Sequence, residues 1–313
     1  MKADRLRPVL RSCGLLVSAL ALVWIGFRFS QGDGIAMVRR LPITPVQLVA
    51  TLLFGALTYA IAMCLPATAW WRLLVGLSPK PPPAPSTLAT YAVTQYGKYL
   101  PGNVAHYALR HAWSRRYGIP HESLGMAAAL EAALLLLAAF SLTLLADARG
   151  QGIFSFLNPR IVIALLLSGL LALWLALHWI RRRGGGGRLH VPALPPSMLL
   201  AATTCYAGFF VLCAILLDGF AHMLDIDADS FARLLAASAA SWLAGFIIIG
   251  APAGLGVREA TFVALTGAQL GEGEALLLIS LFRVATFLGD TVFLAAGALS
   301  LRLEARRSSQ RGV

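Results

Sequence analysis

Long apolar runs separated by short polar and basic segments dominate the chain. A helix needs about 20 apolar residues to cross the hydrocarbon layer of a bilayer, and six runs reach or approach that length. The pattern therefore predicts an all-α integral membrane protein with about six transmembrane helices. The predicted spans are Ser12–Phe29, Val46–Leu65, Leu124–Ala146, Ile161–Ile180, Met198–Leu217 and Ala275–Leu301.

Proline and glycine interrupt two further stretches, Thr87–Arg110 and Phe231–Gly267. The breaks fall at Gly97, Pro101 and Gly102 in the first and at Gly250, Pro252, Gly254 and Gly256 in the second. Irregular backbone at membrane depth is tolerated only where protein or a water-filled cavity satisfies the freed N–H and C=O groups. We therefore expect two re-entrant broken helices that line a binding site. The alternative is that the 20 residues of Phe231–Gly250 simply span the membrane.

The order of these segments repeats within a single membrane domain, residues 1–313. Each half, residues 1–147 and residues 160–303, contains two spans, a broken segment and a third span. Because three crossings per half make the second half enter from the opposite side, the order predicts an inverted-topology repeat. Many secondary transporters use this plan and bind their substrates near the midplane.

Composition and charge agree with a membrane location. Apolar residues make up 58% of the chain, charged residues only 13%, and the net charge is +12. In a soluble protein that charge would indicate a nucleic-acid partner, but here the basic residues gather between the apolar runs, so none is expected. Their distribution favours cytoplasmic N- and C-termini, because cytoplasmic loops are enriched in Lys and Arg.

Three charged residues lie well away from the ends of predicted spans, namely Glu131, Arg283 and Asp290. A charge at the centre of a membrane helix costs roughly 2.5 to 3.5 kcal/mol on insertion scales, so each should face a partner or a cavity. Arg283 and Asp290 share one helix face but lie about 10 Å apart along it, so each needs another partner. We expect Glu131 to pair with Arg283 across the two halves. The alternative role for this trio is an ion pair that only locks the packing.

Polar side chains cluster around both breaks. They are Tyr96, Lys98, Tyr99, Asn103, His106 and Arg110 at the first, and Arg258 and Glu259 at the second. Free N–H groups at the start of a helix, together with Lys and Arg, suit a phosphate group. The sequence thus predicts a site for lipid phosphate. The competing interpretation is interfacial anchoring, in which Lys98 and Arg110 extend to the membrane surface and bind nothing specific.

Motifs for cofactors and metals are missing or weak. The chain has no phosphate-binding loop of the ATPase type, and its four cysteines lie in apolar runs without metal-ligand spacing. The acidic stretch Asp225–Asp229 is better explained as a solvated turn before a helix. We therefore expect no cofactor and no metal.

Two motifs carry a resemblance to a known family. QYGKYLPGNVAHYALR at Gln95–Arg110, followed by Gly118, Ile119 and a span with Glu131, resembles the lysylphosphatidylglycerol synthase transmembrane-domain family, also called flippase-like. PAGLGVRE at Pro252–Glu259 is similar to that family's proline-glycine-leucine-glycine-x-arginine-glutamate element, and Arg283 matches an arginine of its last span. The family usually has two glycines after the proline, whereas Ala253 precedes Gly254 here.

The resemblance implies a bacterial cytoplasmic-membrane protein that moves a lipid between leaflets. In the synthases a membrane domain of this type translocates aminoacylated phosphatidylglycerol, and a soluble C-terminal domain makes it. This chain ends at Val313 without that domain, so we expect translocation of an anionic phospholipid or polyprenyl-phosphate-linked lipid rather than synthesis. Two alternatives stay open. One is a membrane transferase with Glu131 or Glu259 as base, and the other is a non-catalytic membrane partner of a lipid-biosynthesis enzyme.

Overall fold

The computed structural model describes residues 43–100, 104–147, 194–228, 230–248 and 252–310. Within these ranges the chain is helical and contains no strand. Three short 3-10 turns, Tyr96–Tyr99, Arg115–Tyr117 and Pro252–Gly254, connect some of the helices. The helices are α1 Pro45–Ala62, α2 Cys64–Leu77, α3 Ala84–Gln95, α4 Ala105–Ser114, α5 His121–Asp147, α6 Pro196–Met223, α7 Phe231–Ile247, α8 Val257–Leu270 and α9 Glu272–Gln310.

Four helical stretches of the described chain are long and apolar enough to cross a membrane. They are Pro45–Leu77, which joins α1 to α2, and His121–Leu145, Pro196–Met223 and Glu272–Arg307. These stretches coincide with the second, third, fifth and sixth predicted spans. The predicted spans Ser12–Phe29 and Ile161–Ile180 lie outside the described residues. The structure thus confirms a multi-pass, membrane-compatible helical chain.

The first of these stretches extends past its predicted end at Leu65. It begins with a capping box, in which Thr44 Oγ1 accepts a bond from the Gln47 amide at 3.3 Å and Gln47 Oε1 accepts one from the Thr44 amide at 2.8 Å. Pro66, which follows that predicted end, is the third residue of α2. The amide groups of a first turn have no partner within their own helix, so a proline there removes no helical bond.

Both predicted interruptions occur. In the first hairpin, which consists of α3, the Tyr96–Tyr99 turn and α4, the helix stops at Gln95 and a new one starts at Ala105. In the second hairpin, which consists of α7, the Pro252–Gly254 turn and α8, the break follows Ile247. Ala253, Gly254 and Gly256 adopt left-handed backbone angles, with φ of 51°, 70° and 81°. The helix ends where Ile248 becomes extended, with φ of -76° and ψ of 94°. The positive φ values interrupt helical geometry before α8 begins, because a right-handed helix requires a negative φ.

Each hairpin packs against the long helix that ends the other half of the chain. α3 lies against α9, and α7 lies against α5. Glycines permit the close approach of α9. A β-carbon at Gly289 would lie 2.6 Å from the carbonyl oxygen of Ala56 in α1, and one at Gly297 would lie 2.9 Å from that of Ala89 in α3. Small residues at helix contacts are the usual means of close packing in membranes.

Replacing Gly289 by alanine should therefore destabilise the protein. The added methyl group meets backbone rather than a flexible side chain, so the helices must separate, at a cost of about 1 to 3 kcal/mol. Thermal unfolding in detergent would measure the loss. Gly219→Ala is the matched control, because a β-carbon there meets nothing within 4 Å, and it should leave stability unchanged or raise it. Equal melting temperatures for the two variants would contradict the packing described above.

Candidate functional site

The turns of the two hairpins meet in the interior, beside two adjoining cavities. Side chains from all nine described helices contribute to their walls. Four residues line both cavities, namely Tyr59, Phe209, Trp242 and Arg258. The free volumes are about 40 and 60 Å³. A single water needs about 10 to 15 Å³, so the cavities have room for a few small polar groups. They have no room for a whole lipid headgroup without movement of the hairpins.

A lysine–aspartate pair joins the first hairpin to α9. Lys98 Nζ lies 2.8 Å from Asp290 Oδ1 and 2.7 Å from Oδ2. The hydroxyl of Tyr99 donates to Asp290 Oδ2 at 2.6 Å. The Asp290 carboxylate is buried, whereas Lys98 lines the second cavity. Asp290, a charged residue inside the apolar helix α9, is thus paired with Lys98 on the turn of the first hairpin.

An arginine–glutamate pair joins α4 to α5. Arg110 Nη1 donates to Glu131 Oε2 at 2.5 Å, and its Nη2 donates to Gln95 Oε1 at 2.7 Å. The hydroxyl of Tyr91 donates to the other oxygen of Glu131 at 2.8 Å. The guanidinium stacks over the Tyr91 ring at 3.6 Å, and both charged side chains are buried. Arg110 is therefore enclosed and compensated rather than open to the cavities.

The third pair clamps the break of the second hairpin to α9. Arg283 Nε donates to Glu259 Oε1 at 2.7 Å, and its Nη2 donates to the carbonyl oxygen of Ala253 at 3.1 Å. Glu259 also accepts a bond from the Gly256 amide at 2.7 Å. These bonds satisfy backbone groups that the interruption frees, which an irregular segment at membrane depth requires.

The expected pairing of Glu131 with Arg283 is wrong. Glu131 pairs with Arg110 and Arg283 pairs with Glu259, so each half satisfies its own span charge from its own hairpin. The pair that crosses between the halves is Lys98 with Asp290. The spacing of Arg283 and Asp290 correctly indicated that they do not bind each other, but it did not identify the opposing helix.

Arg258 differs from the other three cations of this region. It lines both cavities and lies over the Trp242 ring, 5.7 Å from its centroid. Among the described residues, no carboxylate forms an ion pair with it, and its buried Nε has no hydrogen-bond partner. Because Lys98, Arg110 and Arg283 are each paired, Arg258 leaves the cluster with one uncompensated positive charge.

Two glycines leave the space that the Arg258 side chain occupies. A β-carbon at Gly245 in α7 would lie 2.5 Å from Arg258 Cγ, and one at Gly254 would lie 2.7 Å from its Nε. Larger residues at either position would displace the arginine. Gly254 belongs to the predicted turn, whereas the role of Gly245 could not be inferred from the sequence, because a glycine within an apolar helix has no local signature of its contacts.

The remaining predicted residues lie near the same region. Tyr96 and Tyr99 pack against each other and against Phe287, with ring centroids 5.2 to 6.1 Å apart. His106 lines the second cavity, and its buried Nδ1 has no partner among the described residues. Pro101, Gly102 and Asn103 lie outside the described residues, and only the main chain of Pro252 is described.

Sequence reasoning missed the hydroxyl groups that complete the site. Tyr59 in α1 lines both cavities, and its hydroxyl lies 3.4 Å from Lys98 Nζ. Tyr91 in α3 orients Glu131. A tyrosine within an otherwise aliphatic run is the available signal, because a buried hydroxyl needs a hydrogen-bond partner. In the described part of the chain, no group of three His, Cys, Asp or Glu residues could hold a metal ion.

Comparison with known proteins assigns no family. No family model matches the chain, and no curated protein matches it. The chemistry of the site must therefore be argued from its own geometry.

Replacing Glu131 by glutamine should destabilise the protein strongly. The change keeps the side-chain shape but leaves Arg110 buried without a counter-charge, which costs about 3 to 5 kcal/mol for pairs of this kind. Thermal unfolding in detergent would show the loss. Adding Arg110→Gln should restore part of it, whereas Glu122→Gln, on the exposed first turn of the same helix, should have little effect. A single and a double variant of equal stability would contradict the pairing.

Proposed function

We propose that this chain binds the phosphate group of an anionic lipid at Arg258 and moves that lipid between the leaflets of a membrane. The observation that carries the proposal is the uncompensated guanidinium, which lines both cavities while every neighbouring cation is paired. A charge in a low-dielectric interior requires a counter-charge. A bound anion would supply it.

The chemistry of Arg258 suits a phosphate. Its planar guanidinium can donate two parallel hydrogen bonds to phosphate oxygens, which gives both strength and a fixed orientation. Trp242 beneath it and Tyr59 beside it offer an apolar wall with one hydroxyl. Such a wall suits the junction between a polar headgroup and its acyl chains, which would remain in the bilayer.

The fold supports a transporter with two opposed hairpins. The reciprocal packing of α3 on α9 and of α7 on α5 is what an inverted-topology repeat would produce. The 17 residues of α7 fall short of the roughly 20 that span a bilayer, which favours a re-entrant second hairpin over a full span. The small cavity volumes fit an occluded state that opens alternately toward each leaflet.

Location and orientation in the proposal follow the charge distribution. The basic residues between the apolar runs favour cytoplasmic termini, and the family resemblance implies that the membrane is the inner membrane of a bacterium. The first hairpin then enters from the cytoplasmic side and the second from the outside. In this arrangement Lys98 would meet the lipid phosphate first and Arg258 would hold it at the midplane.

The family resemblance supports the same assignment. The residues that carry it include Lys98, Arg258, Glu259 and Arg283, and all four belong to the pairs and the cavity described above. In the proposed protein, Lys98 and Arg258 contact the lipid, whereas Glu259 and Arg283 hold the second hairpin. Arg110 serves as the counter-charge of Glu131.

The transferase hypothesis has less support. Its candidate bases, Glu131 and Glu259, are each held in an ion pair with an arginine. Their carboxylate oxygens therefore bind protein groups and are not free to contact a substrate. The hypothesis of a non-catalytic membrane partner predicts co-purification with a lipid-biosynthesis enzyme and no transport activity.

Reconstituted protein should move fluorescent phosphatidylglycerol between leaflets, and Arg258→Gln should lower the initial rate at least tenfold because the anion loses its counter-charge. Dithionite quenching of the label on the outer leaflet would measure the rate in proteoliposomes. Arg306→Gln, at an exposed position near the end of α9, is the matched control and should transport normally. Comparable rates for all three proteins would refute the role of Arg258.

Soluble glycerophosphoglycerol, the same headgroup without acyl chains, separates a lipid from a free phosphate ester. It should compete with the fluorescent lipid weakly or not at all, because without acyl chains it does not concentrate in the bilayer. Strong competition would identify a soluble phosphate ester as the ligand instead. A protein that moves no lipid in any vesicle composition would overturn the proposed function itself.

A further inference from the structure

The charged side chains where the two hairpins meet do not cancel. Four are cations and three are carboxylates, and together they form the charge cluster Lys98, Arg110, Arg258, Arg283, Glu131, Glu259 and Asp290. Each carboxylate is paired with one cation, which accounts for three of the four cations. Among the described residues the cluster therefore has an excess of one positive charge, and that charge is on Arg258.

The paired cations cannot add to this excess. Lys98 Nζ lies 2.8 and 2.7 Å from the two oxygens of Asp290 and 3.4 Å from the Tyr59 hydroxyl, so each of its three N–H donors has an acceptor within reach. A ligand that draws a paired cation away leaves the carboxylate of that pair without a partner. The total charge of the cluster is thus the same wherever Lys98 lies.

His106 is the other group of the second cavity whose charge could alter this count. It is buried, lines the cavity together with Lys98, and lies one helical turn before Arg110 in α4. Because the carboxylates of the charge cluster are already paired, a positive charge on His106 would stand beside two cations without a counter-charge, which is unfavourable at low dielectric. The neutral ring leaves the excess at one charge.

The number of charges on the ligand decides whether the cluster becomes neutral. A monovalent anion cancels the excess, whereas a divalent anion replaces it with one uncompensated negative charge. An uncompensated charge of either sign is costly in the protein interior. The cavities have free volumes of only about 40 and 60 Å³, so a ligand that fills them leaves little water to screen the second charge.

We infer that the site selects a lipid phosphodiester, which carries one negative charge, and rejects a lipid phosphomonoester in its doubly charged form. The inference rests on the proposed function and narrows its substrate class. A phosphate with two ester bonds has one ionisable oxygen, whereas a monoester gains its second charge near pH 6. Phospholipids with an esterified headgroup and polyprenyl phosphates joined to a sugar fit the site, whereas phosphatidic acid and free polyprenyl phosphate do not.

Two lipids that differ by one methyl ester test the inference. Dioctanoyl phosphatidylmethanol keeps one charge at all pH values used, whereas dioctanoyl phosphatidic acid gains its second between about pH 5 and about pH 9. Calorimetric titration of the full-length protein in a neutral detergent would measure both affinities, and the phosphorus NMR shift in the same micelles reports the charge of phosphatidic acid. We expect similar affinities when both lipids are singly charged. Doubly charged phosphatidic acid should bind at least about tenfold more weakly, because it leaves a buried charge unpaired.

The ratio of the two affinities at each pH removes the titration of the protein itself from the comparison. The ionisable groups near Arg258 are Tyr59 on α1, Lys98 and Tyr99 on the first hairpin, Cys213 on α6, Glu259 on its own helix and Arg283 on α9. Any of them that changes charge acts on both lipids, since both place a phosphate at the same guanidinium. A change in the ratio therefore reports the charge of the ligand.

Variants that change the charge count should change the preference. Asp290→Asn raises the excess to two, so doubly charged phosphatidic acid should gain at least about tenfold relative to phosphatidylmethanol. The double variant Lys98→Gln, Asp290→Asn restores an excess of one and should recover the wild-type preference. Glu304→Gln is the matched control. This acid binds Ser86 and lies about 20 Å from Asp290 along α9, so its loss should leave the preference unchanged.

Hexadecyl methyl phosphate, a phosphodiester with a single chain, distinguishes the two lipid sources. Binding as tight as that of phosphatidylmethanol indicates a single-chain, polyprenyl-type lipid, and clearly weaker binding indicates a two-chain glycerophospholipid. Either result supports the inference if hexadecyl phosphate, the matching monoester, loses affinity as it gains its second charge.

Equal affinity of the wild-type protein for phosphatidylmethanol and doubly charged phosphatidic acid would overturn the inference, even if the Asp290→Asn variant does not fold. An unchanged preference in a folded Asp290→Asn variant would overturn it as well. Both results leave lipid transport intact. A protein that binds neither lipid at any pH would instead contradict the proposed function.

Discussion

Charge compensation in a low-dielectric interior is the constraint on which the rest of the structure depends. Four cations and three carboxylates lie where the hairpins meet, and each carboxylate binds one cation at 2.8 Å or less. Since each pair bridges two elements, the pairs fix the hairpins as well as neutralise charge. The interruptions are tolerated for the same reason, because Arg283 and Glu259 satisfy backbone groups that the break in the second hairpin frees.

The two halves form corresponding ion pairs in which the positions of the cation and the acid are exchanged. In the first half the second arm of the hairpin carries the cation, Arg110, and the following long helix carries the acid, Glu131. In the second half the arm carries the acid, Glu259, and the long helix carries the cation, Arg283. The geometry of attachment is alike, although the chemistry is reversed. Because the charges are exchanged, a search for matching residues would not find this likeness, which emerges only when the contacts of the two attachments are compared.

The sequence was sufficient for features that depend on local pattern. Apolar length located the four described spans, and proline with glycine located both breaks, because each acts within a few residues. The sequence did not show which residue pairs with each buried charge. The spacing of Arg283 and Asp290 fixed their common face, but which helix opposes that face is a tertiary property, and the expected bond from Glu131 was wrong. Gly245 and Tyr59 were missed because their importance lies entirely in what they contact.

The difference between Arg258 and Lys98 explains why one cation is unpaired and the other is not. The stem of Arg258 lies against Gly245 and Gly254, which leaves it little room to move. A carboxylate beside its guanidinium would therefore stay in place and would compete with any anionic ligand. Lys98 ends a flexible stem on a short turn and is held by Asp290. Under the proposed function, the fixed guanidinium of Arg258 would supply affinity for the anion, and the ammonium of Lys98 would pass between Asp290 and the ligand. Such a site needs both properties, because affinity alone would hold the ligand at the midplane.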